Sequence, residues 1–309
     1  MTIITIASNE RACPVLYKAL WVLPSLFLVG LPGCSPPPSG DDGYVDRMAE
    51  EHAGDRPIAS GAVESASDAD AADAVRAESV TYANVGGRPI VGYLARPGRD
   101  AANTPTPAPG IIVIHEWWGL NDNIRAIARQ LAGAGYTALA VDLFDGEVAE
   151  DSARARELVS GITEREGEID DSLRQAYRYL SEDQKAPSVG VIGWCFGGAW
   201  SLRTALLLPD EIDATVIYYG KLVTDRDKLA ALQMPILGIF GAEDQSIPVA
   251  TVREFESALH ALGKDAAIHV YEGANHAFAN PSGTRYNTEA ATDAWGKTTA
   301  FFEASLKGN

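Results

Sequence analysis

A single cysteine lies in a pattern that positions a catalytic nucleophile. Cys195 is the centre of Gly-Trp-Cys-Phe-Gly, with Gly193 two residues before it and Gly197 two residues after it. An apolar run precedes the motif and a helical pattern follows it, so we predict a sharp strand-to-helix turn in which glycine is required by close backbone packing. The turn would expose the thiol at a helix N-terminus, whose dipole favours the thiolate. The alternative is a small buried cysteine in an ordinary turn.

A nucleophile at such a turn needs a base and an acid that orients the base. Asp244 comes shortly after a predicted strand, and His276 follows the next strand along the chain. His276 would exchange a proton with the cysteine, while Asp244 would fix the imidazole tautomer. We therefore predict a catalytic triad of Cys195, His276 and Asp244. His115 is the alternative base, and Glu243 is the alternative acid.

A third cluster, His-Glu-Trp-Trp-Gly-Leu-Asn, starts at position 115 at the end of another predicted strand. The loop at this place supplies one backbone N–H to an oxyanion hole, and the residue after the nucleophile supplies the other. This assigns the two N–H groups to Trp117 and Phe196. Glu116 is a carboxylate at the same edge of the sheet, and both a catalytic role and a solvated loop position fit it.

The elements that position these motifs alternate between strand and helix. Two strand-like segments, 79–85 and 89–94, are separated by two glycines that predict a hairpin. Buried apolar runs then alternate with amphipathic helices. This order predicts an α/β fold with a mostly parallel central sheet, helices on both faces and an antiparallel N-terminal edge. The predicted strands after the hairpin are residues 110–115, 136–141, 188–193, 214–219, 235–240 and 266–271.

The first 34 residues are typical of an export signal. Arg11 and Lys18 precede an apolar stretch over residues 19–31, which is shorter than the roughly 20 residues of a membrane span. The stretch ends in Leu-Pro-Gly-Cys, which is similar to a bacterial lipobox with Cys34 as the lipid-modified residue. We expect residues 1–33 to be a signal peptide and the protein to be an exported, membrane-anchored lipoprotein on the periplasmic or cell-surface side. A plain cleaved signal peptide and an uncleaved anchor helix are the alternatives.

Residues 34–77 are predicted to form a disordered acidic tether before one folded domain, residues 78–309. The tether starts with a Pro-rich run and is then rich in Asp, Glu, Ala and Ser, so it has little apolar surface to offset its ordering entropy. Cys13 and Cys34 fall in the signal and the lipobox, which leaves Cys195 as the unmodified thiol of the mature domain. The net charge of −17 argues against a nucleic-acid partner.

Together the motifs resemble the dienelactone hydrolase (carboxymethylenebutenolidase) family of the α/β-hydrolase superfamily, over about residues 79–306. The matching segments are His-Glu-Trp-Trp-Gly-Leu-Asn at 115–121, Gly-Trp-Cys-Phe-Gly-Gly at 193–198, Gly-Ala-Glu-Asp at 241–244 and Asn-His-Ala-Phe at 275–278. The resemblance implies an α/β-hydrolase fold, cleavage of a small ester or lactone through a thioester acyl-enzyme, and no metal or cofactor. It also implies that Glu116 contacts the resting Cys195 thiol and takes its proton when substrate binds.

The sequence departs from the family where a substrate carboxylate would be held. The family places an arginine a few residues after the histidine, and this chain has Asn280 there. An amide cannot replace a bidentate guanidinium, so dienelactone itself is a doubtful substrate. Arg154 or Arg156 is a candidate for a second family arginine, although a solvated helix face explains both equally well. With Trp117 and Trp118 as an apolar wall, we expect a neutral or aromatic ester.

Other functions fit the same pattern. A surface-tethered binding protein could keep the fold without catalysis, although it would not need a nucleophile, a base and an acid together. A hydrolase of other acyl substrates, such as polymers or peptides, would use the same residues. We expect a monomer whose contact with the membrane runs only through the lipid on Cys34.

Overall fold

The computed structural model describes residues 43–55, 75–98 and 107–308. Within these ranges the chain forms one sheet of eight strands. The strands are β1 (Val75–Val85), β2 (Arg88–Pro97), β3 (Gly110–Ile114), β4 (Thr137–Val141), β5 (Val189–Trp194), β6 (Ala214–Tyr218), β7 (Ile236–Gly241) and β8 (Ala266–Tyr271). Their order across the sheet is β1-β2-β4-β3-β5-β6-β7-β8.

The sheet is antiparallel at one edge and parallel elsewhere. Strand β2 pairs antiparallel with β1 and with β4, and every other neighbouring pair is parallel. All residues of β3 to β7 are buried. Strands covered on both sides are typical of a parallel sheet packed between helices. The predicted α/β architecture is confirmed, and the parallel strands begin and end within one residue of the predicted bounds.

The helices of the described residues are α1 (Tyr44–Glu51), α2 (Asp122–Gly133), α3 (Ser152–Thr163), α4 (Glu166–Arg178), α5 (Phe196–Leu207), α6 (Arg226–Leu229), α7 (Val249–Ala261) and α8 (Thr288–Phe302). Side-chain caps fix several of their starts. Asn121 accepts a hydrogen bond from the Ile124 N–H at 3.3 Å, and Asp151 accepts one from the Arg154 N–H at 2.8 Å. Helix α4 continues into a π-helical turn over Tyr179–Asp183, and α8 continues into one over Glu303–Lys307.

Residues 43–55 are folded, so the predicted disordered tether is wrong for this stretch. Tyr44 and Met48 of α1 and the C-cap residue His52 recur every four residues, which places them on the same side of the segment, and all three are buried. The average composition of residues 34–77 concealed this short amphipathic pattern. We call residues 43–55 the strap. Residues 75–77 are also ordered, as the start of β1.

The predicted signal peptide, Cys34 and the other residues of the predicted tether lie outside the described residues. Among the helices that the structure describes, none combines the length and the apolar character needed to cross a bilayer.

Candidate active site

Cys195 lies between β5 and α5 in a strained turn. Its backbone has φ 54° and ψ −116°, a conformation that L-residues rarely adopt and that is common at functional sites. A Cβ on Gly193 would lie 2.0 Å from the Gly197 carbonyl oxygen, and a Cβ on Gly197 would lie 2.4 Å from that of Ile114. Both glycines are therefore sterically required, which is the reason that the sequence motif gave for them.

The three predicted triad residues form one hydrogen-bonded line. His276 Nε2 lies 3.1 Å from Cys195 Sγ, and His276 Nδ1 lies 2.9 Å from Asp244 Oδ2. Asp244 Oδ1 accepts a hydrogen bond from the Ile247 N–H at 2.7 Å, which fixes the carboxylate. Asp244 follows β7 and His276 follows β8, so both reach the nucleophile from the carboxyl ends of parallel strands.

The two alternative triad members lie elsewhere. His115 Nε2 accepts a hydrogen bond from the Leu143 N–H at 3.1 Å, and its Nδ1 lies 2.5 Å from the Glu116 carbonyl oxygen. Both ring nitrogens of His115 are thereby used in holding loop backbone. Glu243 is exposed, whereas Asp244 is buried against the histidine. The geometry therefore favours His276 as the base and Asp244 as the acid.

Burial shifts the pKa values of both Cys195 and His276. It raises the pKa of the Cys195 thiol, although the nearby His276 and the Phe196 N–H both act to lower it. The helix N-terminus was expected to lower this pKa by stabilising the thiolate. While the strap covers the sulfur, the effect of burial is larger, and the pKa of Cys195 is raised. Burial lowers the pKa of His276, but the Asp244 carboxylate and Cys195 raise it more strongly, so that pKa lies well above its ordinary value.

Glu116 is buried at the same edge of the sheet. Burial raises its pKa to about 7, so its carboxyl group titrates near neutral pH. Glu116 Oε2 accepts a hydrogen bond from Asn280 Nδ2 at 2.6 Å. Glu116 Oε1 is buried and has no partner among the described residues. The solvated alternative for Glu116 is therefore wrong, because this carboxylate is enclosed.

The direct contact between Glu116 and the resting thiol that the resemblance implies is not formed. Within the described part of the chain, Cys195 Sγ instead contacts His276 Nε2 and Met48 Sδ. The carboxylate is coupled to the thiol by charge, since it acts to raise the pKa of Cys195. The Met48 side chain lies beside the Cys195 sulfur, and Asn280 donates a hydrogen bond to one oxygen of the Glu116 carboxylate.

Asn280 orients Glu116 within a buried polar cluster. Its Oδ1 accepts hydrogen bonds from Asn123 Nδ2 at 3.2 Å and from the Ser282 N–H at 2.9 Å, so its amide group is fixed. The Nδ2 atom is thereby directed at Glu116. The structure thus brings the Asn280 side chain to the buried Glu116 carboxylate, so its Nδ2 atom is already engaged.

The two other predicted substrate-binding arginines are not brought into contact with the triad. Arg154 is exposed and forms ion pairs with Glu157 at 2.7 Å and with Glu147. Arg156 is exposed and forms an ion pair with Asp46 of the strap. Both are held on the surface of α3, as the alternative of a solvated helix face predicts.

The two tryptophans lie in the interior beside the site. The Trp117 and Trp118 ring centroids are 5.0 Å apart, and the Trp117 ring lies 4.6 Å from the ring of His52. Both side chains are buried. The described loop hydrogen bonds include none donated by the Trp117 N–H, which leaves that group available beside the nucleophile turn. The Phe196 N–H acts to lower the pKa of the Cys195 thiol, as a donor close to the sulfur does.

The strap covers the triad, which the sequence did not predict. Met48 Sδ lies 3.2 Å from Cys195 Sγ, and the His52 ring is 5.4 Å from the His276 ring in an edge-on arrangement. Glu51 accepts a hydrogen bond from the Gln245 N–H at 3.0 Å, next to Asp244. The Cys195 and His276 side chains consequently have no exposed surface.

An ionic contact fastens the end of the strap. Asp55 accepts hydrogen bonds from Arg285 at 2.8 Å and from Thr284 Oγ1 at 2.5 Å, and it lies 2.7 Å from His52 Nδ1. Arg285 also donates to the His276 carbonyl oxygen at 2.9 Å. Burial lowers the pKa of His52 to about 4, so its ring is neutral at pH 7. Burial opposes ionisation of Asp55, but its hydrogen bonds hold the pKa well below its usual range.

Known proteins share this arrangement of elements. Residues 90–306 match the model of the dienelactone hydrolase family. A Saccharolobus solfataricus protein, provisionally named carboxymethylenebutenolidase, is 31% identical over 244 residues, which cover 67% of this chain and 93% of that protein. A Klebsiella pneumoniae structure, provisionally described as a dienelactone hydrolase, is 30% identical with a TM-score of 0.65, and covers 74% of this chain and 98% of its own.

A dienelactone hydrolase structure from Anabaena variabilis shares the fold at 22% identity, with a TM-score of 0.56 over 75% of this chain and 99% of its own. The family match includes the triad, Glu116 and Asn280, whereas the strap lies before it. The fold is accordingly the α/β-hydrolase fold, and the substrate class is small-molecule esters or lactones. The chain belongs to the dienelactone hydrolase family and is a hydrolase that acts on ester or lactone bonds.

Proposed function

We propose that this hydrolase cleaves a small ester or lactone with Cys195 as the nucleophile, through a thioester acyl-enzyme. The observation that carries the proposal is the line from Asp244 through His276 to the Cys195 sulfur, with 2.9 Å and 3.1 Å between the bonded atoms. A nucleophile, a base and an orienting acid in this order are the elements of acyl transfer.

Acylation begins with loss of the thiol proton. Glu116, whose pKa of about 7 suits a base at neutral pH, takes the proton from Cys195. The resulting thiolate is paired with the His276 imidazolium and attacks the ester carbonyl. The N–H groups of Trp117 and Phe196 stabilise the oxyanion. The intermediate then collapses to a thioester as His276 protonates the departing alkoxide.

In deacylation His276, which donated a proton during acylation, acts as the base. Neutral His276 removes a proton from water, and the hydroxide attacks the thioester carbonyl. Collapse of this second intermediate releases the carboxylic acid and returns the thiolate, which is protonated again. Asp244 holds the imidazole orientation through both halves of the cycle. The net reaction consumes one ester and one water and yields one acid and one alcohol.

Access to the nucleophile requires movement of the strap. Because Met48 contacts the sulfur and Cys195 has no exposed surface, an ester carbonyl reaches the thiol only after this part of α1 has left. The resting enzyme is therefore closed, and opening of the strap precedes acylation. Opening also admits water to Glu116 and the Cys195 thiol. Because both groups are then solvated, burial raises their pKa values less.

The substrate best supported is a neutral ester with an apolar or aromatic acyl group. Trp117 and Trp118 supply buried aromatic surface, and Asn280 is engaged with Glu116. The Arg285 guanidinium near the site is occupied by the Asp55 carboxylate, with which a substrate carboxylate would have to compete. A panel of paired esters and lactones with and without a carboxylate tests this preference, and faster turnover of the carboxylate-bearing members would overturn it.

We further propose an exported protein that is anchored by a lipid on Cys34, on the basis of the apolar stretch and the Leu-Pro-Gly-Cys ending. The mass of the mature N-terminal peptide tests this proposal. A diacylglyceryl adduct on Cys34 supports it, and an unmodified Cys34 or another first residue contradicts it.

The direct test of the function is hydrolysis of p-nitrophenyl acetate by purified variants. Cys195→Ala should lower the rate by at least ~10³-fold, as expected when a triad nucleophile is lost, and Cys195→Ser should also be far weaker than wild type. His260→Ala, which changes an exposed histidine of α7, is the matched control. Full activity of Cys195→Ala would refute the mechanism. A folded wild type without activity on any ester of the panel would favour a binding protein.

A further inference from the structure

Four sulfur and nitrogen ligand groups converge where the strap meets the triad. One ring nitrogen of His52, one of His276 and the Cys195 sulfur all lie within 4.8 Å of one another. Met48 Sδ lies 3.2 Å from the same cysteine sulfur. All four side chains are buried. Two imidazoles, a thiol and a thioether form a ligand set that favours copper or zinc over magnesium or calcium.

Each of the two histidines has the outer partner that metal-binding histidines usually have. His276 Nδ1 lies 2.9 Å from Asp244 Oδ2, and His52 Nδ1 lies 2.7 Å from Asp55 Oδ2 and 2.9 Å from Arg285 Nη2. Where Nδ1–H donates to the carboxylate, Nε2 has a free lone pair. An Arg285 N–H that donates to His52 Nδ1 selects the opposite tautomer, so metal binding requires that His52 Nδ1–H donate to Asp55. Arg285 lies 2.8 Å from Asp55 and keeps that carboxylate ionised, so it can act as the acceptor.

The free nitrogen of His52 is the observation that points to a ligand. His52 Nε2 is buried and has no hydrogen-bond partner in the described part of the chain. Buried polar atoms are nearly always paired, since an unpaired one costs free energy. The Asp244–His276–Cys195 hydrogen bonds use both ring nitrogens of His276, whereas no step of the proposed mechanism uses His52.

We propose that His52, Cys195 and His276 bind one copper(I) or zinc(II) ion, with Met48 as a weak fourth ligand. Bonds of about 2.0–2.3 Å to a tetrahedral ion place its ligand atoms roughly 3.5 Å apart, so side-chain shifts of about 1 Å suffice to close the site. On binding, the Cys195 thiol and the His276 imidazolium each release one proton to solvent, which gives a thiolate and a neutral imidazole as ligands. The ion joins the strap to the catalytic pair, and this metal-bound form is closed and inactive.

The experiment measures binding to the full, reduced chain without any ester, so its outcome does not depend on hydrolysis. Zinc(II) is titrated against a chromophoric chelator, and copper(I) is titrated anaerobically against a copper(I) chelator. We expect one ion per chain for at least one metal, with the tighter metal identifying the occupant. Cobalt(II), used as a spectroscopic substitute for zinc, should give thiolate charge-transfer absorption that is lost in Cys195→Ala.

Strap variants separate this site from metal binding by the catalytic pair alone. His52→Ala should weaken binding by at least ~10-fold, and His260→Ala should leave it unchanged. Asp55→Asn, which keeps His52 but weakens its orientation, should give an intermediate loss and serves if His52→Ala misfolds. The metal should also inhibit ester hydrolysis by wild type until a chelator is added. Absence of binding, or equal affinities of wild type, His52→Ala and Asp55→Asn, would overturn the proposal.

Discussion

The sulfur of Met48 lies 3.2 Å from the sulfur of Cys195, although 147 positions separate the two residues. This contact joins the strap to the nucleophile and closes the site in the resting structure. It also makes access to the thiol dependent on an opening equilibrium, whose position is set by the residues that the strap buries.

Met48→Ala should activate the enzyme. Burying a methionine side chain contributes about 1.5–3 kcal/mol, so its truncation should increase the open population by roughly ten- to hundredfold. We expect a comparable rise in kcat/KM for p-nitrophenyl acetate and in the rate at which iodoacetamide labels Cys195. Arg47→Ala, an exposed change on the same helix, is the control. Unchanged labelling in Met48→Ala would show that the strap does not limit access.

Asp55→Ala should release the end of the strap. The substitution removes the acceptor shared by Arg285, Thr284 and His52, and hydrogen bonds to a charged group are each worth roughly 1.5–3 kcal/mol. Hydrogen exchange of the α1 amides should accelerate by at least about tenfold, while exchange in β5 stays unchanged. Equal exchange of α1 in the variant and in wild type would contradict the role given to Asp55.

Glu116 should set the acid limb of the pH–rate profile. As a base it must be ionised, and burial has raised its pKa to about 7, so kcat/KM should fall as pH decreases through about 7. Glu116→Gln should remove this limb and reduce the rate by ~10²–10⁴-fold, the usual contribution of a general base. A persistent limb near pH 7 in Glu116→Gln would assign that titration to another group.

Asn280 acts as a positioning residue for that carboxylate. Its Nδ2–H bond stabilises the ionised form of Glu116, so Asn280→Ala should raise the pKa of Glu116 and move the acid limb to higher pH. Asn280→Asp should move the limb further, because a second carboxylate opposes ionisation of the first. Profiles of both variants that coincide with wild type after scaling would indicate a merely structural role.

Much of the fold could be predicted because its strands are buried on both faces. Continuous apolar runs such as Gly110–Ile114 and Ala214–Tyr218 have few other interpretations when helical patterns separate them. The end of the chain was less regular, since α8 passes into a π-helical turn that no periodicity indicates.

The triad was predictable because its residues lie in local motifs at strand ends, where the fold brings them together. The strap was not, because its contacts with Cys195 and Arg285 join distant parts of the sequence. Its one local signal was the four-residue spacing of Tyr44, Met48 and His52 within an acidic, Ala-rich stretch. Likewise, no local sequence pattern predicted that Met48 would contact the Cys195 thiol, or that Asn280 would donate a hydrogen bond to Glu116.

The most direct measurement of the central claim is the mass of the enzyme during turnover. Wild type is mixed with a p-nitrophenyl ester, quenched in acid within the first turnovers and examined intact and after digestion. The mechanism predicts one acyl group per chain, located on Cys195 and removed by neutral hydroxylamine, as a thioester is. Acylation of a different residue, or steady hydrolysis by Cys195→Ala, would contradict the assignment of Cys195 as the nucleophile.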